Sequence, residues 1–254
     1  MTRAAHIEWR SDEELCIDDT TFRVVPVGRS PSTPDRFLLL KNRQMVEAYV
    51  DLADSLEARR IVELGIFEGG STALLELLFR PDRLVAFELS ADRVPALDRF
   101  VELRGAEDRV MPHYGVSQAA GDAMGTIVRE NFGSAPLDLV VDDASHELEL
   151  TRRSFNMLFP LLRPGGLYII EDWGWGHLPF ARERRGPSLA KLVLHLVLSL
   201  PYADDLIDEI NVNKYWALVR RGHASIPQPF DIADQISDRG RQLLSVDDED
   251  PRVR

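Results

Sequence analysis

Residues 60–79 read RIVELGIFEGGSTALLELLF. The apolar run at Arg60–Leu64 predicts a buried strand, Gly65, Gly69 and Gly70 bracket a tight turn, and apolar residues return at helical spacing from about Ser71. A strand, a glycine-rich turn and a helix make the first step of a βαβ alternation. The chain then repeats that step: strand RLVAFEL (83–89), helix PALDRFVEL (95–103), RVMPHYG (109–115), a helix through AAGDAMGTIVREN (119–131) and strand LDLVVDD (137–143). A helix over LTRRSFNMLFPLL, a PGG turn and the strand LYIIED (167–172) follow. The expected fold is therefore α/β: a doubly wound, Rossmann-like sheet with helices on both faces.

On the amino-terminal side, RFLLLKNRQMVEAYVDLADSLE (36–57) carries Leu39, Met45, Val46, Tyr49, Val50 and Leu52 at helical spacing and predicts an amphipathic helix leading into the domain. Before it, IDDTTFRVVPV reads as a short strand or hairpin arm and SPSTPD breaks it, so 1–35 is taken as an extension, 36–222 as the domain and 223–254 as a polar, acidic tail. After LYIIED the segment Trp173–Gly186 combines tryptophan and glycine with the charged run Arg182-Glu183-Arg184-Arg185 and is read as a lid or a solvated loop. The helix Ser188–Leu200 is apolar around most of its circumference, which suits burial between layers or a homodimer contact. EINVN and YWALVRR are the last two strands expected.

Composition narrows the class. A 254-residue chain with 44% apolar residues can bury one substantial core. A net charge of -12 argues against a nucleic-acid partner, which needs a basic face, and favours a small, mostly neutral substrate. Cys16 is the sole cysteine, so no intrachain disulfide or thiolate metal cage can form. No stretch approaches the ~20 apolar residues of a membrane span, and a soluble cytoplasmic protein without a membrane partner is expected.

The turn itself discriminates between cofactors. A dinucleotide site needs G-x-G-x-x-G, with a pyrophosphate on the helix amino terminus. Here the order is G-I-F-E-G-G, and Glu68 would repel a phosphate. A cationic ligand fits better: Gly65 and the Ser71 helix start allow close backbone approach, Glu63 accepts from an ammonium group and Glu88 from both hydroxyls of a ribose. Ser117, in Gly115-Val116-Ser117, is placed beside an adenine. These are the requirements of S-adenosylmethionine.

Two acidic clusters, Asp142-Asp143 and Glu171-Asp172, close two of the buried strands. Carboxylates at the ends of neighbouring strands repel unless a cation lies between them, and oxygen-only ligands suit Mg2+. His146, three residues after Asp143, adds a proton acceptor to the same loop. The lysines, at positions 41, 191 and 214, lie outside the central motifs and leave the base role to histidine. His177 is a second candidate. Successive strand residues point to opposite faces, so Asp142 is expected toward the methionine end of the cofactor or behind the ligands.

VELGIFEGGST, FELS, DLVVDDASH and RPGGLYIIEDW together resemble the class I S-adenosylmethionine-dependent methyltransferases. More narrowly, over about residues 60–180, they resemble the metal-dependent sugar and natural-product O-methyltransferases grouped with the macrocin, mycinamicin and cephalosporin hydroxylase-like proteins. The resemblance implies Asp143, Glu171 and Asp172 as metal ligands, Asp143 also bordering the cofactor, and His146 as general base. It implies Mg2+-dependent methylation of a sugar hydroxyl on a small-molecule or oligosaccharide acceptor: a glycoside, polysaccharide precursor or glycosylated natural product. Trp173 and Trp175, just after the metal pair, are read at the mouth of the site, against a sugar ring or in plain packing. A catechol-like diol would obey the same metal logic, and a non-catalytic cofactor-binding accessory protein is the alternative from another class.

Overall fold

All six residues of Leu137–Asp142 are buried, Asp138 and Asp142 included, as expected where a parallel strand is covered on both faces. The computed structural model describes residues 5–28, 30–179, 181, 186–201, 205–226, 228–238 and 241–242. The chain divides into two compact units, Met1–Ser117 with Thr126–Ser134, and Gln118–Gly125 with Ala135–Arg254.

The first unit opens with a four-stranded sheet, β1 (Ile7–Trp9), β2 (Glu14–Ile17), β3 (Thr20–Val24) and β4 (Phe37–Leu39), in that order. β2 and β3 form a hairpin through Asp18, which adopts a left-handed φ of 52°. Asp18 accepts from the His6 amide and pairs with Arg80 at 3.2 Å. Leu15, Ile17 and Phe22 of the stretch read as an irregular extension are buried, and Phe37 packs edge-on against Phe100 of the following domain.

The helix expected over 36–57 is shorter than predicted. Phe37–Leu39 is strand β4, and α1 runs Arg43–Ser55. The reason is local: Asn42 is extended and its side chain accepts from the Met45 amide at 3.0 Å, a cap that starts the helix there. The βα alternation follows as β5 (Arg60–Leu64), α2 (Gly70–Phe79), β6 (Arg83–Glu88), α3 (Pro95–Leu103) and β7 (Val110–Tyr114), with β5, β6 and β7 parallel. α4 is Gly121–Phe132.

In the second unit β8 (Leu137–Asp142) leads to α5 (Leu148–Leu158) and β9 (Leu162–Glu171). α6 is Ala190–Ser199, and β10 (Ile207–Val212) and β11 (Trp216–Arg221) close the run. β8 and β9 are parallel with Asp142 opposite Ile170, while β9–β11 and β10–β11 are antiparallel. In this unit the strand order is β10-β11-β9-β8, and in the first unit β5-β6-β7.

α6 buries Leu192, Val193, His195 and Leu196 and leaves Leu194, Val197 and Leu198 exposed, so it is covered on one side only. The run Arg182-Glu183-Arg184-Arg185 and 243–254 lie outside the described residues, whereas Phe230, Ile232 and Ile236 of the expected polar tail are buried, and the Ile232 amide donates to Asn156 Oδ1 at 3.0 Å. Among the described residues no helix is long and apolar enough to cross a membrane.

Candidate active site

In the first unit the carboxyl ends of β5, β6 and β7 meet around one carboxylate. Glu88, the last residue of β6, accepts from the amides of Ile66 and Phe67 at 3.1 and 2.7 Å through one oxygen and from the Ser90 amide at 2.9 Å through the other. Its backbone carbonyl accepts from the Val116 amide at 2.9 Å. An ionised carboxylate has about four acceptor positions, so Glu88 fixes the turn and still has capacity for a hydroxyl donor. The turn requires unusual backbone: Gly65 has φ 98° and Phe67 φ 49°, with the Phe67 ring exposed.

Glu63 is fully buried on β5 and accepts from the Thr72 hydroxyl at 2.6 Å. Ser71 and Ser117 are half-buried, Ser71 at the start of α2 and Ser117 two residues beyond Gly115, whose φ is 73°. Gly70 has a different reason from the one its motif suggests. A Cβ there would stand 2.1 Å from the Leu38 carbonyl oxygen, so this glycine admits strand β4. Glu68 likewise serves the amino-terminal segment, accepting from the Ser32 amide at 2.8 Å.

In the second unit, one carboxylate oxygen each of Asp143 and Asp172 and an imidazole nitrogen of His146, atoms able to ligate a metal, all lie within 4.8 Å of one another. His146 Nε2 is 4.0 Å from an Asp143 oxygen, and the two side chains are 11% and 24% exposed. His146 and Asp172 both occupy the left-handed region, at φ 54° and 53°. Such conformations cost of order 1–3 kcal/mol each and persist where the surroundings hold them, often at functional sites. The Asp172 amide donates to the Tyr215 carbonyl at 2.9 Å. The Trp175 ring lies 4.3 Å from that of His146, whereas Trp173 donates its indole N–H to the Asn213 carbonyl at 2.8 Å. His177 sits 3.4 Å from the Ser188 hydroxyl. Glu171 is buried at the end of β9 and lies outside the Asp143, His146 and Asp172 group.

Asp142 faces inward. It is 2% exposed and accepts from Gln118 Nε2 at 2.8 Å and the Tyr168 hydroxyl at 2.9 Å. Burial pushes its carboxyl up to about 7, although hydrogen bonds from Tyr168, Ser154 and Gln118 oppose the shift. Burial and the Asp142 charge hold the Tyr168 phenol well above its usual range. Gln118, Ser154 and Tyr168 escaped the sequence reading. The one available signal was Tyr168, a hydroxyl inside the apolar run LYIIE, which needs a buried partner.

Residues 62–173 match the family described as "Methyltransferase domain". Demethylmacrocin O-methyltransferase of Streptomyces fradiae is 54% identical over 66 residues, which is 26% of this chain and 17% of that one. Mycinamicin VI 2''-O-methyltransferase of Micromonospora griseorubida is 35% identical over 130 residues, 41% and 33% of the two chains. The chain thus spans a third or less of the length of these curated relatives.

Among solved structures, the MycE methyltransferase from the mycinamycin biosynthetic pathway, in complex with Mg, SAH and mycinamycin VI, superposes with a TM-score of 0.54 at 24% identity, covering 74% of this chain and 51% of that one. The O-methyltransferase TomG from Streptomyces achromogenes, involved in tomaymycin synthesis and in complex with SAM, gives 0.53 at 23%, covering 70% and 80%. These solved structures share the fold of the chain, and the matched segment is similar to the methyltransferase class. Within that class the chain resembles the macrocin and mycinamicin O-methyltransferases.

Proposed function

We propose that this chain is an Mg2+- and S-adenosylmethionine-dependent O-methyltransferase that methylates a sugar hydroxyl of a glycosylated natural product or related glycoside. The observation that carries this reading is the convergence of Asp143, His146 and Asp172 within 4.8 Å, two carboxylates and an imidazole on two successive strand ends. The named relatives, which include a mycinamicin 2''-O-methyltransferase and an L-olivosyl-oleandolide 3-O-methyltransferase, support the sugar hydroxyl.

The donor set is hard oxygen with one imidazole, which fits Mg2+ better than a thiophilic ion. When bound, Mg2+ supplies a Lewis acid that acidifies a hydroxyl and fixes its orientation. Asp143 and Asp172 would hold it, with Glu171 as the third ligand that the family resemblance implies. S-adenosylmethionine carries the methyl group as a sulfonium, and the Glu88 carboxylate, Glu63, Gly65, Ser71 and Ser117 are the residues proposed to hold it. Asp142 is proposed to act from behind Asp143.

His146 takes the acceptor hydroxyl proton on an imidazole nitrogen, while Trp175 against its ring limits the orientations it can adopt. Its place among the ligand atoms favours a second reading, in which His146 is itself a metal ligand.

The test is methyl transfer from S-adenosylmethionine to a panel of rhamnosides, mannosides and catechols, with and without EDTA. EDTA-sensitive turnover on a glycoside is expected. Turnover on catechols alone moves the acceptor class, and cofactor binding without turnover on a wider panel leaves the accessory role. If His146 is the base, H146A abolishes turnover and leaves Mn2+ affinity intact; loss of Mn2+ affinity makes it a ligand.

A further inference from the structure

Asp143 and His146 lie on a loop whose conformation β8 alone does not set. One side chain reaches both ends of that loop's foundation. Gln118 is 8% exposed; its amide nitrogen donates to Asp142 Oδ1 at 2.8 Å and to the Ser154 hydroxyl at 2.9 Å, and its oxygen accepts from the Ser145 amide at 3.3 Å. Both amide hydrogens and the amide oxygen are engaged, and the carboxylate of Asp142 fixes which end of the amide faces it. Ser154 sits on α5 and donates to the Leu150 carbonyl at 2.8 Å, so the same amide joins the end of β8, the loop and the following helix.

The residue that Gln118 grips is informative. Ser145 is held at its amide by Gln118, and its hydroxyl accepts from the Glu147 amide at 3.2 Å. His146, at φ 54°, therefore lies between two tethered neighbours, which is what a strained backbone needs in order to persist. Two carboxylates and an imidazole held close in advance spare a cation the cost of gathering them.

We propose that Gln118 is a positioning residue for the Asp143, His146 and Asp172 site, holding the loop in its ligating conformation through Asp142 and Ser145. The proposal rests on the reading of that cluster as a metal site. Outer partners of metal ligands typically contribute 10–100-fold in affinity.

The experiment is a Mn2+ titration followed by electron paramagnetic resonance on the full chain, for the wild type, Q118M, Q118N and D143N. Q118M keeps the volume and removes every hydrogen bond; Q118N keeps an amide but is one methylene too short to reach both Asp142 and Ser145. Both are expected to weaken Mn2+ binding by about 10–100-fold while retaining a cooperative melt and S-adenosylhomocysteine affinity within about twofold. Wild-type Mn2+ affinity in both variants overturns the proposal. So does loss of Mn2+ affinity together with the melt and the nucleoside affinity, which would make Gln118 plain core packing. Equal Mn2+ binding by the wild type and D143N overturns the underlying metal-site reading instead, a result separate from any effect at Gln118.

Discussion

The glycine turn of the first unit and the acidic loop of the second are both irregular strand ends that hold strained backbone, yet they are held by opposite means. The turn at Gly65–Phe67 is fixed by its own amides pointing at one carboxylate, Glu88, at the end of the next strand. The loop at Asp143–Glu147 is fixed from below, by a buried side-chain network of Asp142, Gln118, Ser154 and Tyr168. A backbone-held turn tolerates most side chains that leave the amides free. A network-held loop fails when any one member is removed, because the remaining buried polar groups lose their partners.

The largest effect expected is on the loop. D143A or H146A should lower the proposed methyl transfer by about 10²–10⁴-fold, as for loss of a general base or a metal ligand, with S-adenosylhomocysteine binding by calorimetry unchanged in H146A. Retained turnover in either variant would end the role assigned to that residue.

Next is the turn. E88A removes the carboxylate that accepts from three backbone amides, and with hydrogen bonds to a charged group contributing about 1.5–3 kcal/mol, cofactor affinity should fall by at least tenfold. Mn2+ affinity should stay as in the wild type, and parallel loss of both would erase the distinction between the two regions.

G70A tests whether the turn also depends on the amino-terminal sheet. Its Cβ would collide with the Leu38 carbonyl, and overpacking of this kind costs about 1–3 kcal/mol. A lowered melting temperature is expected, and an unchanged one would mean that β4 yields easily.

The smallest effect concerns His113 on β7, beside the Phe87 ring at 5.6 Å. Burial lowers its pKa below the ordinary 6.5. The unfolded chain then binds the proton more readily than the folded one, so stability declines as pH falls below about 6.5. H113F should flatten that part of the stability profile measured by denaturant unfolding, and an unaltered slope would assign it to other groups.

Much of this was legible from residue order. The βα alternation, the strand ends at Glu88, Asp143 and Asp172, and the difference between G-I-F-E-G-G and a dinucleotide turn follow from local pattern, because strand period, turn chemistry and charge are local properties. The amino-terminal sheet was legible only in part: IDDTTFRVVPV, read as a strand or hairpin arm, holds β3 of the β2–β3 hairpin, but β1 and β4 are three residues each, too short for periodicity to register, and their pairing is non-local. Gly70 was read as part of the tight turn, and its packing role was not legible, since the Leu38 carbonyl that a side chain there would meet lies far off in sequence. Asp142 and Asp143 are adjacent and alike on paper, yet one is buried in a hydrogen-bond network and the other opens to the loop.

What residue order establishes here is the alternation of strands and helices and the chemical character of each strand end, since both arise from neighbours along the chain. Which carboxylates converge, and which are buried to hold the others, depends on distant segments such as Gln118 and Tyr168 meeting Asp142. Hydrogen bonding between buried groups is a property of positions in space, and no local pattern encodes it.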